Sequence, residues 1–138
     1  MKEDKKKIKD FLYEKESYLI IEACREVWKE FGGAFKEKIV DNALTVALQN
    51  KGLTVENQKR INIYFKGVKV GTYTPDKIIN KIILIELKCK PFLTREDEKQ
   101  FWYYLRSSNY KLGFLINFSP VKLEFKRRIY DRARQQLA

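Results

Sequence analysis

The sequence predicts an α/β fold in which helices flank a mixed central sheet. Apolar residues recur at helical spacing over residues 17–31 and 35–50, and from residue 61 onward they alternate with polar residues, as in half-buried strands. Residues 82–88 are apolar on both faces up to Glu86, which is typical of a central strand covered on both sides. At 138 residues with 44% hydrophobic composition, the chain is expected to form a single domain, 1–138.

The elements are predicted in the order helix, helix, three strands, helix, two strands, helix. Gly32 and Gly33 end the first helix, and Gly52 ends the second. Strands are expected at residues 61–65, 68–79, 82–88, 112–118 and 121–126, and the third helix is expected at residues 94–107. A basic helix is predicted over residues 127–138, and residues 1–15 are predicted to be a basic, lysine-rich arm.

The composition excludes several kinds of site. The chain has no histidine, which excludes histidine-based triads, histidine-ligated zinc and histidine general bases. Cys24 and Cys89 are too few for a disulfide scaffold or a four-cysteine zinc site, and we expect both to pack as small apolar residues. The longest apolar run, residues 78–87, is too short for a membrane span. Because residues 1–10 lack the apolar segment of a secretion signal, a cytoplasmic location is expected.

The net charge of +11, from 29 Lys and Arg against 18 Asp and Glu, indicates a polyanionic partner. The alternative is a surface that is basic only for solubility. A membrane is not expected as a partner, because no basic amphipathic helix with an exposed aromatic face stands out. Nucleic acid is therefore the expected partner. The residues predicted to contact phosphates are Lys126, Arg127, Arg128, Arg132 and Arg134. The alternative is that they form a solvated face without a ligand.

Three charged residues could form a catalytic site. Glu86 and Lys88 lie two apart on a strand, so both side chains leave the same face. Asp76 lies on the preceding strand of the predicted hairpin and can approach them. Two carboxylates at ~4 Å repel by roughly 4 kcal/mol at an effective dielectric of 20, and a divalent cation offsets that repulsion. A lysine beside the cation can orient a water against a phosphate, so the set suits phosphodiester hydrolysis. A solvated surface pair is the ordinary alternative.

The spacing Pro75-Asp76, nine residues, then Glu86-Leu87-Lys88 resembles the signature of the PD-(D/E)XK nucleases. The predicted order of elements matches their restriction-endonuclease-like core, αβββαβ. A longer resemblance, over roughly residues 17–128, is to the GxxExxY proteins within that superfamily. It rests on residues 32–44, 66–71, 85–88 and 113–118, and departs from the pattern at Trp28, Ala34 and Val40.

The resemblance implies Mg²⁺ or Mn²⁺ as cofactor, held by Asp76, Glu86 and the Leu87 carbonyl. It implies a further acid, Glu37, that reaches the site from the second helix. It also implies a pair formed by Gln100 and Tyr104, like that of RecB-type exonucleases, and the i, i+4 spacing independently places these two residues on one helical face.

These observations favour a metal-dependent nuclease that acts on DNA. A Holliday-junction resolvase is an alternative with similar size, basicity and core, and a homodimer with two sites about a two-fold axis would favour it. A nucleic-acid-binding module that keeps the fold without the chemistry is the alternative outside the enzyme class.

Overall fold

The computed structural model describes residues 12–33 and 35–130. Within them the chain forms three helices and seven strands. In chain order these are α1 (Glu14–Phe31), α2 (Glu37–Asn50), β1 (Val55–Asn57), β2 (Ile61–Phe65), β3 (Val68–Tyr73), β4 (Lys77–Ile79), β5 (Ile83–Lys88), α3 (Arg95–Ser107), β6 (Leu112–Phe118) and β7 (Leu123–Ile129). No helix among the described residues is both long and apolar enough to cross a membrane.

Five strands form a mixed sheet in the order β1-β4-β5-β6-β7. The pair β5–β6 is parallel and the other three pairs are antiparallel. Helix α3 connects the parallel strands, as a parallel pair requires a crossover rather than a tight turn. The predicted α/β fold with a mixed central sheet flanked by helices is confirmed.

Strand β5 has an apolar side chain on each face of the sheet. Ile83, Ile85 and Leu87 belong to the larger core, which α1 and α2 cover, whereas Leu84 belongs to a smaller core with Phe101 of α3. The alternation of a strand puts Glu86 and Lys88 on the same side as Leu84. The two charged residues therefore continue the α3 face of the sheet at the carboxyl end of β5.

The segment between α1 and α2 packs tightly against the turn after β6. The Trp28 indole Nε1 donates a 2.9 Å hydrogen bond to the Ser119 carbonyl oxygen. A Cβ at Gly33 would lie 2.3 Å from Pro120 N, so only glycine fits there without a backbone shift. These contacts hold the end of α1 against that turn, and α2, which follows α1 in the chain, carries Glu37.

The strands of the structure differ from the predicted strands in two ways. The predicted strand 68–79 is divided into β3 and β4, which belong to different sheets: β3 pairs only with β2, whereas β4 pairs with β1 and β5. The division falls at residues 74–76, where Pro75 lacks the N–H that a central strand needs. The short strand β1 was not predicted, because three residues are too few to show a period.

The predicted basic helix over residues 127–138 is wrong at its start. Arg127 and Arg128 continue β7 and pair with Phe114 and Gly113 of β6. Ladder pairing with a buried strand overrides the high helical propensity of arginine. The remainder of that prediction, residues 131–138, lies outside the described residues. So do residues 1–11 of the predicted arm, whose last residues, Glu14 and Lys15, belong to α1.

Candidate active site

The β4–β5 hairpin brings Asp76 and Glu86 together. In its turn, Asn80 and Lys81 have positive φ angles of 51° and 61°, and the Ile82 amide donates to the Ile79 carbonyl at 3.0 Å. Tight hairpin turns favour positive φ at both central residues. The register pairs Lys77 with Ile85, so the next position outward places Asp76 beside Glu86. Asp76 therefore lies just before β4, and not in the middle of a strand as the sequence predicts.

The Asp76 and Glu86 carboxyl groups are in contact, and two backbone amides also hydrogen-bond to them. The Asp76 amide donates to Glu86 Oε1 at 3.3 Å, and the Leu87 amide donates to Asp76 Oδ2 at 2.7 Å. Burial of the Glu86 carboxyl, together with a hydrogen bond to Asp76 and the negative charge of Asp76, raises the pKa of Glu86 to about 8. A carboxyl group with that pKa is mostly protonated at neutral pH, and a bound cation would replace its proton.

Tyr73 is a site residue that the sequence did not reveal. Its hydroxyl donates to Glu86 Oε2 at 2.9 Å, and its ring stacks on Tyr104 with centroids 4.0 Å apart and planes 6° apart. Burial, followed by the Glu86 charge, raises the pKa of the Tyr73 hydroxyl, so it stays a donor. The predicted residue Tyr104 thus reaches Glu86 through Tyr73. The only signal in the sequence was the position of Tyr73, two residues before Pro75-Asp76.

Lys88 is half-buried on the same face as Glu86. Within the part of the chain that the structure describes, its ammonium forms no hydrogen bond or ion pair. Its positive charge nevertheless lowers the pKa of Glu86 and of Glu37, against the other influences on them. Lys88 is therefore close enough to act on both carboxyl groups while its own donors stay free for a ligand.

Glu37 is the first residue of α2 and lines one open cleft with Asp76, Gln58, Asp41 and Lys38. Partial burial, and then the charge of Asp76, raises the pKa of Glu37. This coupling places Glu37 near Asp76 from the α2 side of the sheet. Gln58 borders the same cleft and donates from Nε2 to Asp76 Oδ1 at 3.4 Å.

Lys77 and Asp41 form a buried ion pair that the sequence did not predict. The Lys77 side chain is fully buried, and its ammonium donates to the Asp41 carboxylate, the Asp41 carbonyl at 3.0 Å, Thr45 Oγ1 at 2.7 Å and Asn57 Oδ1 at 2.8 Å. Burial lowers the pKa of Lys77, and the Asp41 carboxylate opposes that shift. The pair ties α2 and β1 to the strand that follows Asp76. The one feature of the sequence that indicates this ion pair is the position of Lys77, between Asp76 and two isoleucines.

Gln100 lies on the exposed side of α3 and lines a shallow cleft with Tyr104, Tyr103 and Asp97. No hydrogen bond among the described residues joins it to Asp76 or Glu86. The predicted pairing of Gln100 and Tyr104 on one face of a helix agrees with this shared cleft.

The described members of the predicted phosphate-contact cluster lie on β7, two strands from β5, and Lys126 shares a register row with Glu86 through Leu115. The ladder aligns Lys88 with Asn117 and Glu124, whereas Arg128 is aligned with Gly113 and Leu84. Arg128 is thus about 13 Å from the Lys88 row along the strands. Lys126 Nζ and Arg128 Nη2 lie 3.8 and 3.3 Å from one Glu98 oxygen, and Arg127 Nη2 donates to the Leu12 carbonyl at 2.6 Å. Arg132 and Arg134 lie outside the described residues.

The oxygen donors present fit a hard divalent cation. Asp76 and Glu86 supply two carboxyl groups in contact, and Glu37 lines the same cleft as Asp76. Across residues 12–33 and 35–130, no three His, Cys, Asp or Glu side chains converge as a ready-made metal site. The predicted ligand set does not require three such side chains, because it consists of two carboxylates and the Leu87 backbone carbonyl. Burial, followed by the Glu37 charge, raises the pKa of the Cys89 thiol to about 11, and hard cations prefer oxygen ligands to a thiol.

One comparison with known proteins gives a match. The family model of the PD-(D/E)XK nuclease superfamily matches residues 14–128, which include α1, the sheet strands as far as β7, and Asp76, Glu86 and Lys88. No curated protein and no solved structure matches the chain. With a family match over most of its length, the chain belongs to the PD-(D/E)XK nuclease superfamily.

Proposed function

We propose that this protein is a metal-dependent nuclease that hydrolyses phosphodiester bonds of DNA with Mg²⁺ or Mn²⁺. The observation that carries the proposal is the contact between the Asp76 and Glu86 carboxyl groups, with Lys88 on the same sheet face as Glu86. Membership in the superfamily supports the reaction class. The finer assignment to the GxxExxY proteins and a cytoplasmic location are parts of the same proposal.

Each residue has a distinct task in this proposal. Asp76, Glu86 and the Leu87 carbonyl hold the cation, which when bound supplies Lewis-acid stabilisation of charge on phosphate oxygens. Lys88 orients the attacking water and stabilises negative charge that develops on the phosphate. Glu37 adds a negative charge from α2 beside Asp76, for the same ion or a second one.

Supporting side chains keep this geometry. Tyr73 holds the Glu86 carboxyl by its 2.9 Å hydrogen bond, and Tyr104 supports the Tyr73 ring by stacking. Gln100, one turn before Tyr104 on α3, is proposed to steady a substrate phosphate.

The test is incubation with labelled single-stranded, duplex and four-way-junction DNAs in Mg²⁺, Mn²⁺ or EDTA. We expect cleavage with metal, none in EDTA, and none with Asp76→Ala or Glu86→Ala. Lys29→Ala, which changes an exposed lysine of α1, serves as the control and should cleave like wild type. Cleavage that survives Asp76→Ala would contradict the site.

The same experiment separates the two alternatives. Selective cutting of the four-way junction by a homodimer would indicate a resolvase. DNA binding without cleavage under every metal condition would indicate a binding module that has kept only the fold.

The C-terminal basic residues remain a prediction for phosphate contacts. Replacing Arg127, Arg128, Arg132 and Arg134 with glutamine should weaken binding to all sequences alike. It should also make the salt dependence shallower by roughly one unit for each phosphate that the protein no longer neutralises. Because Arg128 shares Glu98 with Lys126, part of its charge is already neutralised. An unchanged salt dependence in this variant would place the phosphate-binding residues elsewhere.

A further inference from the structure

The β2–β3 hairpin presents an apolar tip with no protein partner among the described residues. Its turn is Lys66-Gly67, and around it Tyr64, Phe65, Val68 and Val70 are each 60–64% exposed. A register shift after Ile63 leaves Val70 without a partner strand residue. Strand alternation places Tyr64 and Phe65 on opposite faces of the hairpin, so apolar side chains are exposed on both sides of the turn. Exposed apolar groups gathered at one place in this way mark interaction surfaces.

The charge of this hairpin has a single sign. Residues 59–73 contain four cations, Lys59, Arg60, Lys66 and Lys69, and no Asp or Glu. Lys59 is paired with Glu56 at 3.6 Å, whereas the other three have no acidic partner within the described residues. The Lys66 ammonium lies 5.5 Å from the centroid of the Phe65 ring. Aromatic rings between unpaired cations are complementary to a polyanion whose units carry flat, apolar faces.

The hairpin leads directly into the candidate active site. Tyr73 is the last residue of β3 and donates to Glu86, while Ile61 and Ile63 anchor the base of the hairpin on the α3-side core. From Tyr73 to the start of β3 at Val68 the strand spans about 17 Å. That length corresponds to about five stacked nucleotides at 3.4 Å each.

We propose that the tip of the β2–β3 hairpin binds a single-stranded stretch of DNA, with Tyr64 and Phe65 stacking on unpaired bases and Lys66 and Lys69 contacting phosphates. Single-stranded DNA is favoured over duplex because the bases of a duplex are already stacked, and an inserted ring must first unstack them. That the bound strand continues to Glu86 as substrate rests on the proposed function.

The test is fluorescence anisotropy with a labelled oligothymidylate of roughly 15 nucleotides, measured in EDTA so that no cleavage interferes. Phe65→Ala and Tyr64→Ala should each weaken binding by roughly tenfold, as loss of one stacked base predicts. Phe65→Trp should bind like wild type. Tyr18→Ala is the matched control, because Tyr18 is a 62% exposed aromatic residue on α1, and it should change nothing. All three side chains are exposed, and circular dichroism verifies that each variant is folded.

The charge contribution is measured separately. Lys66→Gln combined with Lys69→Gln should make the dependence of log affinity on log salt shallower by about 1.4, at about 0.7 per phosphate contact on single strands. Lys15→Gln combined with Lys29→Gln removes the same charge from exposed positions of α1 and should leave that slope within about half a unit of wild type.

The outcomes distinguish this proposal from the proposed function. Wild-type affinity for single-stranded DNA in Phe65→Ala and Tyr64→Ala, in a protein that cleaves, would overturn the hairpin proposal and leave the nuclease standing. Weakened binding in these variants of a protein that cleaves nothing would support the hairpin and refute the nuclease. Equal effects on a blunt duplex would overturn the single-strand assignment. A dimer in sedimentation that Phe65→Ala converts to monomer without weaker DNA binding would assign the tip to a second copy of the chain.

Discussion

Lys77 and Lys88 lie on neighbouring strands and both are close to carboxyl groups, but their environments are opposite. The Lys77 ammonium is fully buried and donates to oxygens of Asp41, Thr45 and Asn57. The Lys88 side chain is half-buried and, among the described residues, donates to none. The register explains the contrast, because Lys77 pairs with Ile85 on the face that α2 covers, whereas Lys88 shares the opposite face with Glu86.

The difference separates a structural role from a proposed chemical role on two adjacent strands. A lysine whose donors are all taken up by protein oxygens can fix α2 against β4 but cannot bind a water or a phosphate. A lysine without protein partners adds little to the fold and keeps three donors for a ligand. The comparison therefore predicts that one lysine matters for stability and the other for activity.

Lys77→Ala should have the largest effect on folding. Removing one partner of a buried ion pair leaves the other charge without compensation, so we expect a decrease of about 3–5 kcal/mol in the free energy of unfolding. Urea denaturation measures it. Lys77→Met combined with Asp41→Leu should recover most of that decrease. A decrease of less than about 1 kcal/mol in the free energy of unfolding of Lys77→Ala would show that the ammonium is not held in a buried ion pair.

Lys88→Met should affect activity and leave stability nearly unchanged. Cleavage should fall by roughly 10²- to 10³-fold, since a group that stabilises transition-state charge is removed. The free energy of unfolding should stay within about 0.5 kcal/mol of wild type. Initial rates and urea denaturation of the same preparation provide both numbers, with Lys29→Met as the control. A destabilisation as large as that of Lys77→Ala would erase the distinction.

Bound metal should stabilise the fold by a smaller amount. At a Mn²⁺ concentration one hundred times the dissociation constant, the free energy of unfolding should rise by about 2.7 kcal/mol. Asp76→Asn should abolish the increase, whereas Lys77 variants that still fold should keep it. Thermal melting in Mn²⁺ and in EDTA compares them. An equal shift in Asp76→Asn would place the ion elsewhere.

A third pair, Lys90 with Asp97, should show the smallest effect. Its lysine side chain is 35% exposed, and Asp97 also accepts the Thr94 amide in the capping box of α3. Burial disfavours the charged Asp97, but the hydrogen bonds from Lys90 and Thr94 outweigh it and lower the pKa to about 2.

The sign of this pH effect follows from the lowered pKa. The unfolded state binds the proton first, so the contribution of Asp97 is complete above about pH 4 and disappears as the pH falls towards 2. In unfolding curves measured across that range, the stability of Asp97→Asn should fall less than that of wild type. Parallel curves would show that the Lys90 bond does not hold in solution.

That Asp76, Glu86 and Lys88 lie near one another could be predicted from the sequence, because they are close together along the chain. Asp76 and Glu86 belong to one hairpin, and strand alternation alone aligns Glu86 with Lys88. The Lys77–Asp41 pair could not be predicted, since it joins two elements 36 residues apart. The position of Arg127 in a strand could not be predicted either, because it depends on pairing with Phe114 and not on the residue's own propensity.

The connection between β5 and β6 has a consequence for how the protein folds. The β4–β5 hairpin closes through a three-residue connection, an event of microseconds, whereas the parallel partner β6 is separated from β5 by residues 89–111. Closing that long loop costs chain entropy before any ladder bond forms, so the central pair assembles late. Asp76 and Glu86 therefore meet before the sheet around them exists. In the nascent chain we expect their mutual repulsion to oppose early hairpin closure, and a divalent ion or a proton to accelerate it.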